Sequence, residues 1–237
     1  QYMSNVRLAS KEDIAVMKLE AIAGGGSYKD FIAFTCKICY FYYMKLKNKY
    51  ILLRHGKNIH QTKLKDIIYH FPDDNPPCQL IEEGIEEAKR AGEKIKEKNI
   101  DYIYCSDILR ARQTAKIVAD VIGFDSEKII YDTRLRDINW GIFGGKHKDE
   151  AWAFYGGDKM KKFDVPTPQG ETWNDCRKRM IDLLQEIERN NENKNILIIS
   201  HGDPLWLLEG YIKEISDEEL VEKRVEIMIQ TGEVREI

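Results

Sequence analysis

Three short apolar runs, each broken at its carboxyl end by polar or cationic residues, constrain this chain more than any other feature. They are "YILLRHG" at residues 50–56, "IDYIYCS" at 100–106 and "NILIISHG" at 195–202. Runs this short and this apolar suit strands buried on both faces, as in a parallel sheet. Helical patterns lie between them. "LIEEGIEEAKRAGEKIKEK" puts Ile81, Ile85, Ala88 and Ile95 on one face and charges elsewhere. "ILRARQTAKIVADVIG" stops at Gly123, "GETWNDCRKRMIDLLQEIERN" reads as a long helix, and "PLWLLEGYI" is entered through Pro204. A short strand is expected near "KIIYD", followed by an irregular aromatic-rich stretch from about residue 138 to 169. Strand alternating with helix predicts an α/β fold, a three-layer α/β/α sandwich with a mainly parallel sheet. Ligand sites of such sheets gather beyond the carboxyl ends of the strands.

The 43% hydrophobic and 32% charged composition suits an ordinary globular domain, and 237 residues suffice for one sizeable core plus an appendage. A net charge of −3 gives no reason to expect nucleic acid or an acidic membrane as partner, so any anion must be bound locally. Five scattered cysteines, Cys36, Cys39, Cys78, Cys105 and Cys176, argue against a disulfide framework and for a reducing, cytoplasmic setting. Residues 1–43 read differently from the rest. "ASKEDIAVMKLEAIA" has a helix start at Ser10 and helically spaced apolar residues, "GGGS" breaks it, and the apolar run from Phe31 to Met44, interrupted by Lys37, suits a buried helix rather than a bilayer span. "LASKEDIAVMKLEAI" and the following "KDF" resemble the helical tail of the abortive-infection nucleotidyltransferase toxin family, without the paired carboxylates of its metal-bound chemistry. Residues 1–43 are read as a non-catalytic helical appendage to a domain spanning residues 44–237, with Met44 a candidate start.

The strand tips carry the chemistry. Arg54 and His55 follow the first run, Ser106 to Arg110 the second, and His201 and Gly202 the third. Two arginines and two histidines converging on one crevice repel one another unless an anion sits among them, and a phosphoryl group is the natural occupant. A neutral His55 imidazole can attack phosphorus in line, with Arg54, Arg110 and His201 on the equatorial oxygens. Gly56 and Gly202 would let backbone amides approach closely, and Asn58 and Gln61 can donate amide hydrogen bonds. No metal or other cofactor is required on this reading.

"LLRHGKN", "YCSDILRARQTA", "RLRDINWG", "PQGETWNDCRKRM" and "ILIISHGD", in that order, resemble the histidine phosphatase superfamily, its phosphoglycerate mutase-like branch, over residues 44–237. The resemblance implies a phosphoric monoester hydrolase working through a phosphohistidine on His55. It also implies an acid/base carboxyl group, usually glutamate, at the position of Asp137. The alternative for Asp137 is an ion pair with Arg134 or Arg136, with Asp203 or Glu171 as replacement acids. His60, in the same loop, reads as a solvated histidine or a substrate contact. The stretch after Asp137, rich in Trp140, Phe143, Trp152, Phe154, Tyr155 and lysines, reads either as a cap over the leaving group or as aromatics packed under a charged face. Expected partners are a small phosphorylated metabolite or a phosphoprotein, with neither nucleic acid nor membrane; a homodimer is left open. Two further readings stand beside the phosphatase: a phosphoglycerate mutase, and a phosphate-binding module that has lost turnover through Asp137.

Overall fold

The computed structural model describes residues 46–73 and 77–237. The expected appendage helices, Cys36 and Cys39 lie outside the described residues. Lys47–Ile237 forms one compact unit. Its strands are β1 (Lys49–Arg54), β2 (Tyr102–Cys105), β3 (Ile130–Tyr131), β4 (Asn195–Ser200) and β5 (Val234–Glu236). The longer helices are α1 (Glu82–Ile95), α2 (Leu109–Ile122), α3 (Lys148–Phe154), α4 (Trp173–Asn190) and α5 (Gly202–Ile212), followed by the short α6 (Asp217–Glu222) and α7 (Arg224–Ile227).

The sheet order is β3-β2-β4-β1-β5. All neighbours are parallel except β1 and β5. β1, β4 and β2 are therefore the three central strands, and their sequences are apolar throughout because helices cover both faces. On one face, Ala88, Ala91 and Ile95 of α1 and Ala111, Ala115 and Val118 of α2 pack on Ile51, Leu53, Ile103, Leu197 and Ile199. The small residues let the helices lie close: a Cβ on Gly92 would come within 2.7 Å of Val121. Trp173, Cys176, Trp206 and Leu207, from α4 and α5, build a second core with Ile138 and Phe163. Each fully buried Leu or Ile contributes about 1.5–3 kcal/mol through removal from water.

Local signals set the helix ends. Thr172 caps α4, accepting from the Asp175 amide, while the Asp175 carboxylate accepts from the Thr172 amide. Gly123, at φ 70°, closes α2 in the left-handed conformation that glycine adopts at little cost. The stretch from 138 to 169 is not wholly irregular, since it holds α3 and the 3-10 turns Gly141–Phe143 and Lys159–Phe163. Among the described residues no helix is long and apolar enough to cross a membrane.

Register brings the strand tips together. Arg54 pairs with Ser200 and Cys105 with Ile199, so β1, β2 and β4 end at nearly one level. The His55 amide donates to the Ser200 carbonyl at 3.0 Å, and the Ser106 amide to the Ile199 carbonyl at 2.9 Å.

Candidate active site

His55 leaves β1 with its ring buried, and Nδ1 lies 2.8 Å from the Gly56 carbonyl. A carbonyl only accepts, so Nδ1 carries the proton and the lone pair falls on Nε2. Arg110 Nε donates to that Nε2 at 3.3 Å. Burial, Arg110, His201 and Arg54 together hold the His55 pKa well below the ordinary imidazole value. The ring is thereby kept neutral, with its unprotonated nitrogen toward Arg110.

His201, at the end of β4, is fully buried, with its ring centroid 5.1 Å from that of His55. Its Nε2 lies 2.8 Å from Ser106 Oγ, and that oxygen also accepts from the Ile108 amide. His201 Nδ1 lies 3.7 Å from Asp137 Oδ2, a carboxylate oxygen that only accepts, which favours the proton on Nδ1 with the Ser106 hydroxyl donating to Nε2. Burial, Arg110 and Arg54 depress the His201 pKa as well.

Arg110, in the first turn of α2, is 1% exposed. Its guanidinium stacks over the Tyr69 ring at 4.0 Å and gives Nη2 to Asp137 Oδ2 at 2.9 Å. Arg54 Nη1 donates to the Ile229 carbonyl at 2.9 Å. A Cβ on Gly202 would come within 3.2 Å of the Arg54 Cζ, so the glycine leaves room for that guanidinium. Arg54 Nε, Arg110 Nη1, Asn58 Nδ2 and His201 Nδ1 are buried without a hydrogen-bond partner among the described residues. Buried polar atoms are normally paired, and this set matches an anion with several acceptor oxygens.

Arg54, His55, Arg110, His201 and Asp137 thus come together as expected from sequence, with Asn58 and Gly202 beside them. Two expected contributors are otherwise engaged. The Gly56 amide donates to Thr114 Oγ1 at 3.0 Å, and its missing Cβ is required by the Gly84 carbonyl, 2.3 Å from where that atom would stand. Gly56 is therefore a packing glycine rather than an anion ligand. Gln61 is committed on both sides, its Oε1 to the Asn58 amide and its Nε2 to the Tyr69 hydroxyl, each at 2.8 Å. It braces the loop. His60 is buried and stacked on Tyr69 at 4.0 Å, not solvated.

The other carboxylates and arginines weighed for Asp137 have partners of their own. Arg134 pairs with Asp132 and Glu186, and Arg136 with Asp107, so neither takes Asp137. Asp203 binds Arg224 and the Trp173 indole, and Glu171 binds Arg179. Three more residues contact the cluster without a role expected from sequence: Ser106, Tyr69 and Asp73, whose Oδ1 lies 3.8 Å from Arg110 Nη1. Ser106 stands inside the "YCSDILRARQTA" segment, but Tyr69 and Asp73 carry no pattern.

Beyond the cations opens a cavity of about 330 Å³, lined by Arg54, Asp137, Gly202 and Asp203, by Tyr69, Trp140 and Trp152, and by Lys65, Lys148 and Arg224. The aromatic stretch divides between the cavity wall and the interior. Trp140, Trp152 and Lys148 face the cavity, whereas Tyr155 and Lys162 are buried beneath it. Ring contacts run Trp140 to Trp152 and Trp173 to Trp206 edge-on and Trp152 to Trp173 at a tilt, tying this wall to the core. Among the described residues no group of three or more His, Cys, Asp or Glu is arranged to hold a metal ion.

The mainly parallel sheet thus gathers two histidines and two arginines at and just beyond its central strand tips, around a site whose charge suits an anion. The chain belongs to the histidine phosphatase superfamily (branch 1), whose family model matches residues 50–228. Among curated proteins, the 2,3-bisphosphoglycerate-dependent phosphoglycerate mutase of Parvibaculum lavamentivorans is 28% identical over 184 residues, covering 74% of this chain and 85% of its own. The mutase of the same name from Methylobacterium sp. is 30% identical over 166 residues, covering 67% and 77%. Among solved structures, Bacillus stearothermophilus YhfR superposes with a TM-score of 0.67 at 27% identity over 80% of this chain and 90% of its own. The alpha-ribazole phosphatase from Shigella flexneri shares the fold, with a TM-score of 0.64 at 20% identity over 80% and 89%.

Proposed function

We propose that this chain hydrolyses phosphate monoesters through a phosphohistidine on His55, without a metal ion. The observation that carries this reading is the His55 ring itself: neutral, with Nδ1 fixed on the Gly56 carbonyl and Nε2 turned toward Arg54, Arg110 and His201. In the first step the Nε2 lone pair attacks phosphorus, the bond to the ester oxygen breaks, and the leaving alkoxide takes a proton from the Asp137 carboxyl group. In the second, Asp137 takes a proton from water, whose oxygen attacks phosphorus. The phosphorus–nitrogen bond breaks and inorganic phosphate is released. Arg54, Arg110, Asn58 and the His201 Nδ1–H stabilise the equatorial oxygens throughout, the main contribution of protein to phosphoryl transfer. Support for Asp137 in this role is that it is held to Arg110 and lines the cavity beside the cations.

The substrate is a small phosphorylated metabolite or a phosphoprotein, and the setting is cytoplasmic. A mutase reading is favoured by the phosphoglycerate mutases that align over most of their length; in it the same phosphohistidine returns its phosphoryl group to a reoriented sugar acid instead of to water. The test is turnover of p-nitrophenyl phosphate with a chelator present, for the parent, His55→Ala and Asp137→Ala, alongside phosphoglycerate isomerisation primed with 2,3-bisphosphoglycerate. Chelator-resistant hydrolysis lost in His55→Ala supports the phosphatase. Isomerisation much faster than hydrolysis moves the assignment to the mutase, and neither activity in the parent rejects both.

A further inference from the structure

Asp137 sits in an irregular segment with no ladder or helix to hold it, yet the carbonyls of residues 134 to 137 are all captured. One guanidinium does most of this. Arg179, on α4, gives Nη1 to the carbonyls of Arg134 (2.6 Å) and Arg136 (2.7 Å), and Nη2 to the carbonyl of Asp137 at 3.1 Å. Its remaining two donors go to Glu171: Nη2 to Oε1 at 2.7 Å and Nε to Oε2 at 3.1 Å. All five N–H donors of the fork are thus used. The Leu135 carbonyl, skipped by Arg179, accepts from Ser200 Oγ at 2.7 Å.

Glu171 extends the grip past the acid, since its Oε1 also accepts from the Asn139 amide at 2.9 Å. It is fixed in turn, because the next residue, Thr172, is the capped start of α4, and buried Lys162 donates to the Glu171 carbonyl at 2.6 Å. The backbone on both sides of Asp137 is therefore bound to one carboxylate–guanidinium pair.

We propose that Arg179, oriented by Glu171, is a positioning residue for the acid/base step: it sets where the Asp137 carboxyl group stands relative to the oxygen that must be protonated. This rests on the reading of Asp137 as that acid. A displacement of about 1 Å at a reacting group costs on the order of 100-fold in rate. Proton delivery matters most when the leaving group is a poor one, so the loss depends on the ester.

The test compares kcat/KM on p-nitrophenyl phosphate, whose phenolate departs readily, with that on phenyl phosphate and an alkyl phosphate, for the full-length parent, Asp137→Asn, Arg179→Gln, Arg179→Lys and Glu171→Gln. Arg179→Gln should lose roughly 10- to 100-fold more on the alkyl ester than on the nitrophenyl ester, in parallel with Asp137→Asn and with a smaller loss in Glu171→Gln. Melting curves identify any variant that fails to fold, in which case Arg179→Lys and Glu171→Gln carry the comparison. Equal losses on all esters in the Arg179 and Glu171 variants, with Asp137→Asn still ester-dependent, would overturn the positioning role while leaving the acid in place. An Asp137→Asn variant with no ester dependence would instead remove the acid assignment and the inference with it.

Discussion

At the scale of single residues, the site depends on which atom carries each proton. His55 is held as the Nδ1–H tautomer by the Gly56 carbonyl, and nitrogen NMR of labelled histidine should show that tautomer in the free protein. Because the folded pKa is depressed, the ring should stay neutral as pH falls through the ordinary value of 6.5 and protonate only well below it. An imidazolium signal at pH 6.5 would contradict the geometry. The carboxyl group makes a second demand. Asp137→Asn should lower kcat on an alkyl phosphate by about 100-fold or more, whereas Asp137→Glu should stay within roughly tenfold of the parent; steady-state rates decide both. His55, Arg54, Arg110 and His201 were legible in sequence because each sits at a strand tip or just after one, where position along the chain nearly fixes position in space. The partner of Asp137 was not. Sequence proximity suggested Arg134 or Arg136, but those side chains find carboxylates nearer their own direction, and Arg110, brought from another strand tip, takes its place.

At the scale of elements, the loop after β1 is set by its contact with α1. A Cβ on Gly84 would stand 1.9 Å from the Lys57 carbonyl, a clash with backbone that no rotamer relieves. Gly84→Ala should therefore cost about 1–3 kcal/mol of stability in urea unfolding. It should also lower kcat, since Lys57 lies between His55 and Asn58; unchanged stability would contradict the packing. The elements flanking the catalytic strands were readable from apolar periodicity, but β5 was not. Its three residues, Val234, Arg235 and Glu236, give no run of apolar side chains, and the strand exists because the exposed edge of β1 accepts it in antiparallel register. The helix and turns between 138 and 169 were equally hidden, because aromatic residues there pack on one another and on Trp173 rather than along one helical face.

At the scale of the whole molecule, the sandwich holds two neutral histidines, the buried Arg110 and the half-buried Arg54 at one point, which makes stability depend on both pH and anions. Folding keeps His55 and His201 unprotonated, so the unfolded chain binds more protons below its imidazole pKa. Their contribution is complete above pH 6.5 and is lost progressively as pH falls from there toward the folded values. Urea midpoints should decline over that range, and less steeply in His201→Gln. Inorganic phosphate, which only the folded site can bind, should raise the melting temperature, with about 2.7 kcal/mol gained at 100 times its Kd. Arg110→Gln should lose most of that gain. The α/β class, the mainly parallel sheet and the family were all legible because they follow from ordered motifs on ordered strands. The substrate was not, because it depends on the cavity wall from Lys65, Trp140, Lys148, Trp152 and Arg224, which come from separate segments. If His55 carries the phosphoryl group, rapid quench after mixing with a phosphate ester radiolabelled in its phosphoryl group should trap protein-bound label that is acid-labile and base-stable, maps to His55, is chased by excess unlabelled ester, and is absent from His55→Ala. Turnover with no label on His55, or label on another residue, rules out the phosphohistidine route.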